Sequence, residues 1–183
     1  SIELLDTVEH DGLRDAFERR SMGESTEDGN GELALGRDAQ DAFAAASHAR
    51  AAASADYLAE EIAPYTIAGK RGDTVVSVDD GVRADTTVEG LAGLRPAFSI
   101  STGSITAGTI TAGNSSQITD GAAALVLMSP AAAAARGITG LTTVEAHALV
   151  AGPDVRLHAQ PANAIIAALA KTDDTVADLA VVE

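Results

Sequence analysis

The chain's 183 residues suffice for one domain with a real core, or one and a half smaller ones, and its apolar fraction of 46% is ordinary, although alanine supplies much of it and aromatics only 3%. The 27 acids against 12 bases leave a net charge of −15, and Lys70 and Lys171 are the lysines; this excludes nucleic acid and an anionic membrane as partners, since both need basic clusters. No apolar run is long enough to span a bilayer, residues 1–20 lack the apolar centre of a signal peptide, and without cysteine there are neither disulfides nor thiolate metal sites.

The acid-rich surface suits either a high-salt cytoplasm, where self-repulsion is screened, or simply an acidic soluble protein. His10, His48, His147 and His158 are scattered without zinc-type spacing to carboxylates, so no metal is expected. His147 reads as packed or edge-exposed, His158 as an exposed helix-entry residue, and the pairs Asp79-Asp80 and Asp173-Asp174 as solvated turns.

In chain order, residues 1–23 are charged and mixed. The run Ser25-Thr26-Glu27-Asp28-Gly29-Asn30-Gly31 predicts only a weak helix, because each Gly costs about 1 kcal/mol against Ala. The clearest helix is 37–58, alanine-rich and free of Pro and Gly, with Asp38 and Asp41 near its positive end and Phe43, Ala46, Ala49 or Arg50, and Ala53 as its small-residue face. Residues 59–98 read as loops and short strands, with strand alternation over 73–78, a turn at Asp79-Asp80-Gly81, and a short helix in 87–94 ending before Pro96.

Residues 99–121 are rich in Ser, Thr and Gly and hold a near-repeat, 103–108 and 108–113, too short for a solenoid. From Ala122 the pattern becomes that of an α/β layer: a fully apolar strand over 122–128, a helix opening at Pro130 and ending at Gly137, a strand over 141–150, a turn at Gly152-Pro153-Asp154, a helix from Pro161 to about Ala170, and a last buried strand over 179–182.

One stretch is the most specific: Thr111-Ala112-Gly113-Asn114-Ser115-Ser116-Gln117-Ile118-Thr119-Asp120-Gly121, running into the apolar 122–128 and Ser129. Around it fall, in order, Asp11-Gly12-Leu13-Arg14-Asp15-Ala16-Phe17 with Met22-Gly23; Arg37 with Gln40-Asp41-Ala42-Phe43-Ala44, Ser47 and Ala51; Glu61-Ile62 with Pro64; Asp80 with Arg83; Thr87 with Glu89; Leu94-Arg95-Pro96-Ala97-Phe98; and Gln160-Pro161-Ala162-Asn163-Ala164-Ile165. This ordered series resembles the middle portion of the thiolase family, specifically acetyl-CoA acetyltransferases, from about Asp6 to Glu183.

The resemblance implies an α/β fold: a thiolase-like layered fold, incomplete, with an inserted α+β loop domain. Residues 1–118 would be the loop domain covering coenzyme A, 119–137 the end of the N-terminal half, and 138–183 the start of a truncated C-terminal half. It implies a coenzyme A site lined by Leu13, Arg83, Phe98, Ala112 and Ser116. A guanidinium suits a phosphate or the adenine face, a Gly/Ser turn brings backbone N–H groups to the pantetheine amides, and Leu13 and Phe98 could flank the pantetheine arm. Taken alone, Arg83 would hold a surface turn through Asp79 or Asp80, and Asn114 and Ser116 would be turn residues; under the resemblance all three line the pocket. The chain departs from the family at Ser21, where many members place a His, at Gly90 for a Ser, at Asp28 for an Asn, and in the near-repeat that lengthens the segment between Phe98 and Ala112.

In the family a nucleophilic Cys carries the acyl group, a His activates it, a second Cys acts as base, and an Asn-held water with a second His forms the oxyanion hole. The nucleophile is expected upstream of Ser1 and the Asn-Glu-Ala-Phe motif after Glu183, so no catalytic residue is assigned here and the chain alone is expected to be inactive. Residues 122–183 are expected to be poorly stable by themselves, because open strand edges need covering. The implied chemistry is that of a transferase in lipid metabolism, with coenzyme A or acetyl-CoA as substrate, no prosthetic group, and a homo-oligomer or a complementary thiolase chain as partner in the cytoplasm. The alternative is a non-catalytic, degenerate thiolase fragment acting as a binding or oligomerisation module.

Overall fold

The computed structural model describes residues 4–98 and 107–182. The first copy of the near-repeat therefore lies mostly outside the described residues. The chain divides into two compact units, Ser1–Thr119 and Asp120–Glu183.

The first unit opens with a π-helical turn, Val8–Gly12, and an isolated bridge between Arg14 and Ser21. Contrary to the weak helix expected there, α1 runs over Met22–Glu32. Ser21 and Glu24 close a capping box at its N-terminus, and its buried positions are Ser25, Glu27, Gly29, Asn30 and Gly31. Tertiary hydrogen bonds from Glu27 and Asn30 to Thr109 supply what the local sequence lacks. Gly23 is a position where the lack of a side chain matters, since the Phe98 ring occupies the space a Cβ would take.

Helix α2, Arg37–Ala53, is shorter than the sequence suggested; Ser54 leaves helical geometry (φ −102°, ψ 12°) and α3, Ala55–Ala59, continues as a separate turn. Its inward face also differs from the expected one. Phe43 is 72% exposed, whereas Asp41 is buried and Ala44, Ala45 and His48 are half-buried along the same stripe. An alanine-rich helix has little apolar periodicity to orient it, so the hydrogen bonds of Asp41 decide its rotation.

A two-stranded antiparallel sheet follows, β1 (Tyr65–Ile67) paired with β2 (Thr74–Val76) in the register Tyr65↔Val76, with every strand residue exposed. The chain turns at Asp80-Gly81 and enters α4, Val88–Ala92, capped by the Thr87 hydroxyl on the Gly90 N–H at 3.1 Å. Leu91 on α4 and Ile110 are the buried apolar side chains among the described residues; the other buried side chains, Ser25, Glu27, Asn30, Asp41, Thr109 and Thr111, are polar. The centre of this unit is thus a hydrogen-bonded one, with α1, α2 and α4 gathered on residues 107–115.

The second unit carries α5 (Pro130–Ala135), capped by the Ser129 hydroxyl on the Ala132 N–H at 3.2 Å, and α6 (Gln160–Leu169). Both match the sequence expectation, and Gly137 ends the first with φ +63°. The expected strands over 122–128, 141–150 and 179–182 are not formed: no ladder is present in this unit among the described residues, and Leu125, Val126 and Leu127 are 82%, 87% and 76% exposed. A strand needs a neighbour to take its N–H and C=O groups. No described segment of the unit pairs with these runs, and most of their residues are exposed.

Candidate functional site

The 109–116 loop is built on its inner side by polar side chains. The fully buried Glu27 carboxylate accepts the backbone N–H groups of Thr109 and Ile110 at 2.6 and 2.7 Å and the Thr109 hydroxyl at 2.8 Å. Asn114 closes the turn: its Oδ1 accepts the Thr111 N–H at 2.7 Å, and its Nδ2 donates to the Thr109 carbonyl at 2.9 Å and to Asp41 Oδ1 at 2.8 Å. The Ser115 hydroxyl donates to the Thr111 carbonyl at 2.7 Å. Asp41 also accepts from Arg37 Nε at 2.7 Å, and Arg37 donates onward to the carbonyls of Leu91 and Leu94. Gly113 has no room for a Cβ, which would run into Leu91 and Leu94.

Ala112 and Ser116 are exposed on this loop, while Thr111 is buried and Gly113 and Asn114 are half-buried. Asn114 spends its side chain on the turn itself, as its plain reading as a turn residue expected. Phe98 is half-buried against Gly23, and the neighbouring Ala97 N–H donates to the Ile110 carbonyl at 2.8 Å, joining its segment to the loop. Leu13 is exposed and its carbonyl accepts the Met22 N–H at 2.8 Å, which ties it to the residue before Gly23, where the Phe98 ring packs.

Arg83 sits on an exposed loop. Its backbone N–H donates to His48 Nδ1 on α2 at 3.2 Å, and the Gln117 side chain fills the space beside Gly81, which brings the Arg83 loop against the residue following Ser116. The Arg83 guanidinium makes no ion pair with Asp79, Asp80 or any other carboxylate among the described residues. It remains available to an anion, at the edge of a unit whose other arginines are committed in several cases: Arg14 to Glu9, Arg20 to Asp28 at 2.6 Å, and Arg37 to Asp41.

Two of the departures from the family, Ser21 and Asp28, have structural roles. Ser21 is the α1 cap, its N–H and hydroxyl both donating to Glu24 Oε2 at 2.9 Å, which holds the Glu24 carboxyl below its ordinary range. Asp28 receives Arg20. At Gly90 a Cβ would meet only the Thr87 hydroxyl, at 3.4 Å, an ordinary contact. Among the described residues no group of three His, Asp, Glu or Cys side chains could hold a metal ion, and no helix is long and apolar enough to cross a membrane.

Three residues of this construction escaped the sequence reading: Glu27, Asp41 as a buried group, and His48. Asp41 had a visible signal in Arg37, four positions before it on the same helix. Glu27 and His48 had none, because their partners lie far along the chain.

Comparison with known proteins agrees on one family. The profile described as "Thiolase, N-terminal domain" matches residues 1–131. A protein of Mycolicibacterium smegmatis named "Probable acetyl-CoA acetyltransferase" is 45% identical over 98% of this chain and 46% of its own length. The "Acetyl-CoA acetyltransferase" of Paracoccus denitrificans is 41% identical over 100% of this chain and 46% of its own. Among solved structures, the acetyl-CoA acetyltransferase of Bacillus anthracis superposes with a TM-score of 0.81 at 36% identity, over 97% of this chain and 44% of that one. The chain spans about half the length of the curated relatives it matches. Its helices and short sheet are accordingly part of an α/β thiolase fold, and the chain belongs to the thiolase family.

Proposed function

We propose that this chain is the coenzyme A-binding portion of a thiolase-type acetyl-CoA C-acetyltransferase, which moves an acyl group between acyl-CoA and coenzyme A by Claisen condensation or thiolysis. Residues 1–118 form the loop domain over the cofactor, 119–137 belong to the N-terminal half and 138–183 to the C-terminal half. The chain contains no cysteine, so the nucleophile, and with it the catalytic His and Asn, come from outside it; by itself the chain is inactive. A homo-oligomer or a complementary thiolase chain completes the active unit in the cytoplasm, without a prosthetic group.

The observation that carries this reading is the 109–116 loop, whose inner side is bonded to α1 and α2 while Ala112 and Ser116 stay exposed, followed by Gln117 against the Arg83 loop, whose guanidinium has no carboxylate partner among the described residues. Arg83 meets a phosphate, Ala112 and Ser116 with their backbone meet the pantetheine amides, and Leu13 and Phe98 flank the apolar arm. Isothermal titration of the 183-residue chain with coenzyme A, and with pantetheine as the phosphate-poor comparison, tests it. Saturable binding that weakens on removal of the nucleotide is expected; no binding of either would leave a thiolase fragment serving assembly alone.

A further inference from the structure

We propose that Glu27 and Asp41 are positioning residues, two buried carboxylates that grip the 109–116 loop from beneath and so hold Ala112 and Ser116 in place to receive coenzyme A. This rests on the coenzyme A reading above.

The hydrogens in the network fix the role of Glu27. The Gln40 amide uses both hydrogens, on the Leu35 carbonyl at 2.9 Å and on Thr109 Oγ1 at 2.8 Å. Asn30 Nδ2 donates to the same hydroxyl at 3.1 Å. With two N–H groups arriving, the Thr109 hydroxyl sends its own hydrogen to Glu27 Oε2 at 2.8 Å. Glu27 Oε1 takes the amides of Thr109 and Ile110. Every contact has the Glu27 oxygens accepting, and among the described residues the carboxyl pairs with no cation: the arginine of this network, Arg37, goes to Asp41. A buried carboxyl group is costly unless donors surround it, and here two of its donors are consecutive main-chain amides of the loop. Its need for donors is therefore converted directly into loop position.

Asp41 acts at the other end. It takes Asn114 Nδ2, and Asn114 in turn holds Thr111 and Thr109. One carboxylate fixes the entry of the turn and the other its exit. Two carboxylates serving only helix packing would have their partners on neighbouring helices, whereas these bond backbone and side-chain groups of the loop.

Glu27→Gln is the test. Either orientation of the new amide places an NH₂ against donors, the Thr109 hydroxyl with its two N–H groups or the two backbone amides, so the loop is released while the volume is kept. Asn114→Ala cuts the Asp41 link, together with the turn bonds to Thr111 and Thr109, and leaves α1 untouched. For both variants the amide exchange of residues 109–116 is compared with that of α2, and coenzyme A affinity is titrated. The expected result is faster loop exchange with α2 protection retained, and coenzyme A binding weakened about tenfold to a hundredfold, as for a binding group held slightly out of place. Wild-type exchange and affinity in Asn114→Ala, or in a folded Glu27→Gln, overturn the proposal. If Glu27→Gln does not fold, Asn114→Ala decides. Should the wild-type chain itself not bind coenzyme A, the ligand reading falls and loop exchange alone judges the clamp.

Discussion

Asn114 donates to the buried Asp41 carboxylate at 2.8 Å across 73 positions of sequence. That bond joins a turn to the middle of a polar core, and the same carboxylate holds Arg37. Arg37 then reaches the carbonyls of Leu91 and Leu94 at the end of α4. One arginine thus ties α2, α4 and, through Asp41, the 109–116 loop.

Removing that arginine should be severe. Arg37→Ala leaves Asp41 buried without its cation and takes one donor from each of the Leu91 and Leu94 carbonyls, and the expected loss is about 3 kcal/mol, typical of breaking a buried pair from one side. Urea denaturation of the purified variant measures it. A loss under about 1 kcal/mol would mean that water replaces the guanidinium at no great cost.

The α1 cap predicts a pH response. Glu24 has its carboxyl held low by the Ser21 N–H first and by the Ser21 hydroxyl second. A carboxyl lowered on folding adds stability above its unfolded pKa, and that stability is lost as the pH falls through the folded value. Ser21→Ala deletes the hydroxyl and keeps the N–H, so the Glu24 midpoint should rise part of the way toward 4.5, read by carboxyl-carbon NMR titration. The missing cap should also cost the helix about 1 kcal/mol at neutral pH. An unchanged midpoint would show that the backbone bond alone sets it.

Packing at the Met22-Gly23 corner admits no added carbon. Gly23→Ala drives a methyl into the Phe98 ring and should destabilise by about 1–3 kcal/mol through overpacking. Pairing it with Phe98→Leu should recover part of the loss. Thermal melts of the two single variants and the double variant form the cycle, and strict additivity would place the strain elsewhere.

Arg83→Ala should weaken coenzyme A binding about tenfold and flatten its salt dependence, since a charge-assisted phosphate contact is lost. His48→Ala should have a smaller effect of the same sign, because it removes only the acceptor of the Arg83 N–H. Titrations at two salt concentrations separate the two. Equal affinity in wild type and Arg83→Ala would take the arginine out of the site.

The net charge of −15 should make stability rise with salt. Raising KCl to 1 M shortens the screening length to about 3 Å and removes most repulsion between exposed acids. A urea midpoint that climbs with KCl is expected, and a flat response would show that acids and bases are already well paired.

Much of this protein was readable along the chain. The ordered motifs pointed to the family, because turn glycines, prolines and capping residues leave local marks that do not depend on distant partners. The helices opening at Pro130 and near Pro161 were placed for the same reason, and the charge balance needed only counting. Three things waited for the tertiary structure. Helix α1 forms despite Gly29 and Gly31, the inward stripe of α2 carries Asp41 in place of Phe43, and Glu27 sits at the centre of the loop network. Hydrophobic periodicity signals an apolar core, whereas the first unit buries mainly hydrogen-bonded groups. The partners of Glu27 lie 82 and 83 positions away, and only folding brings such groups within bonding distance. The apolar runs at 122–128 and 141–150 show the converse: β propensity is written in the residues, but a ladder exists only where a second segment lies alongside.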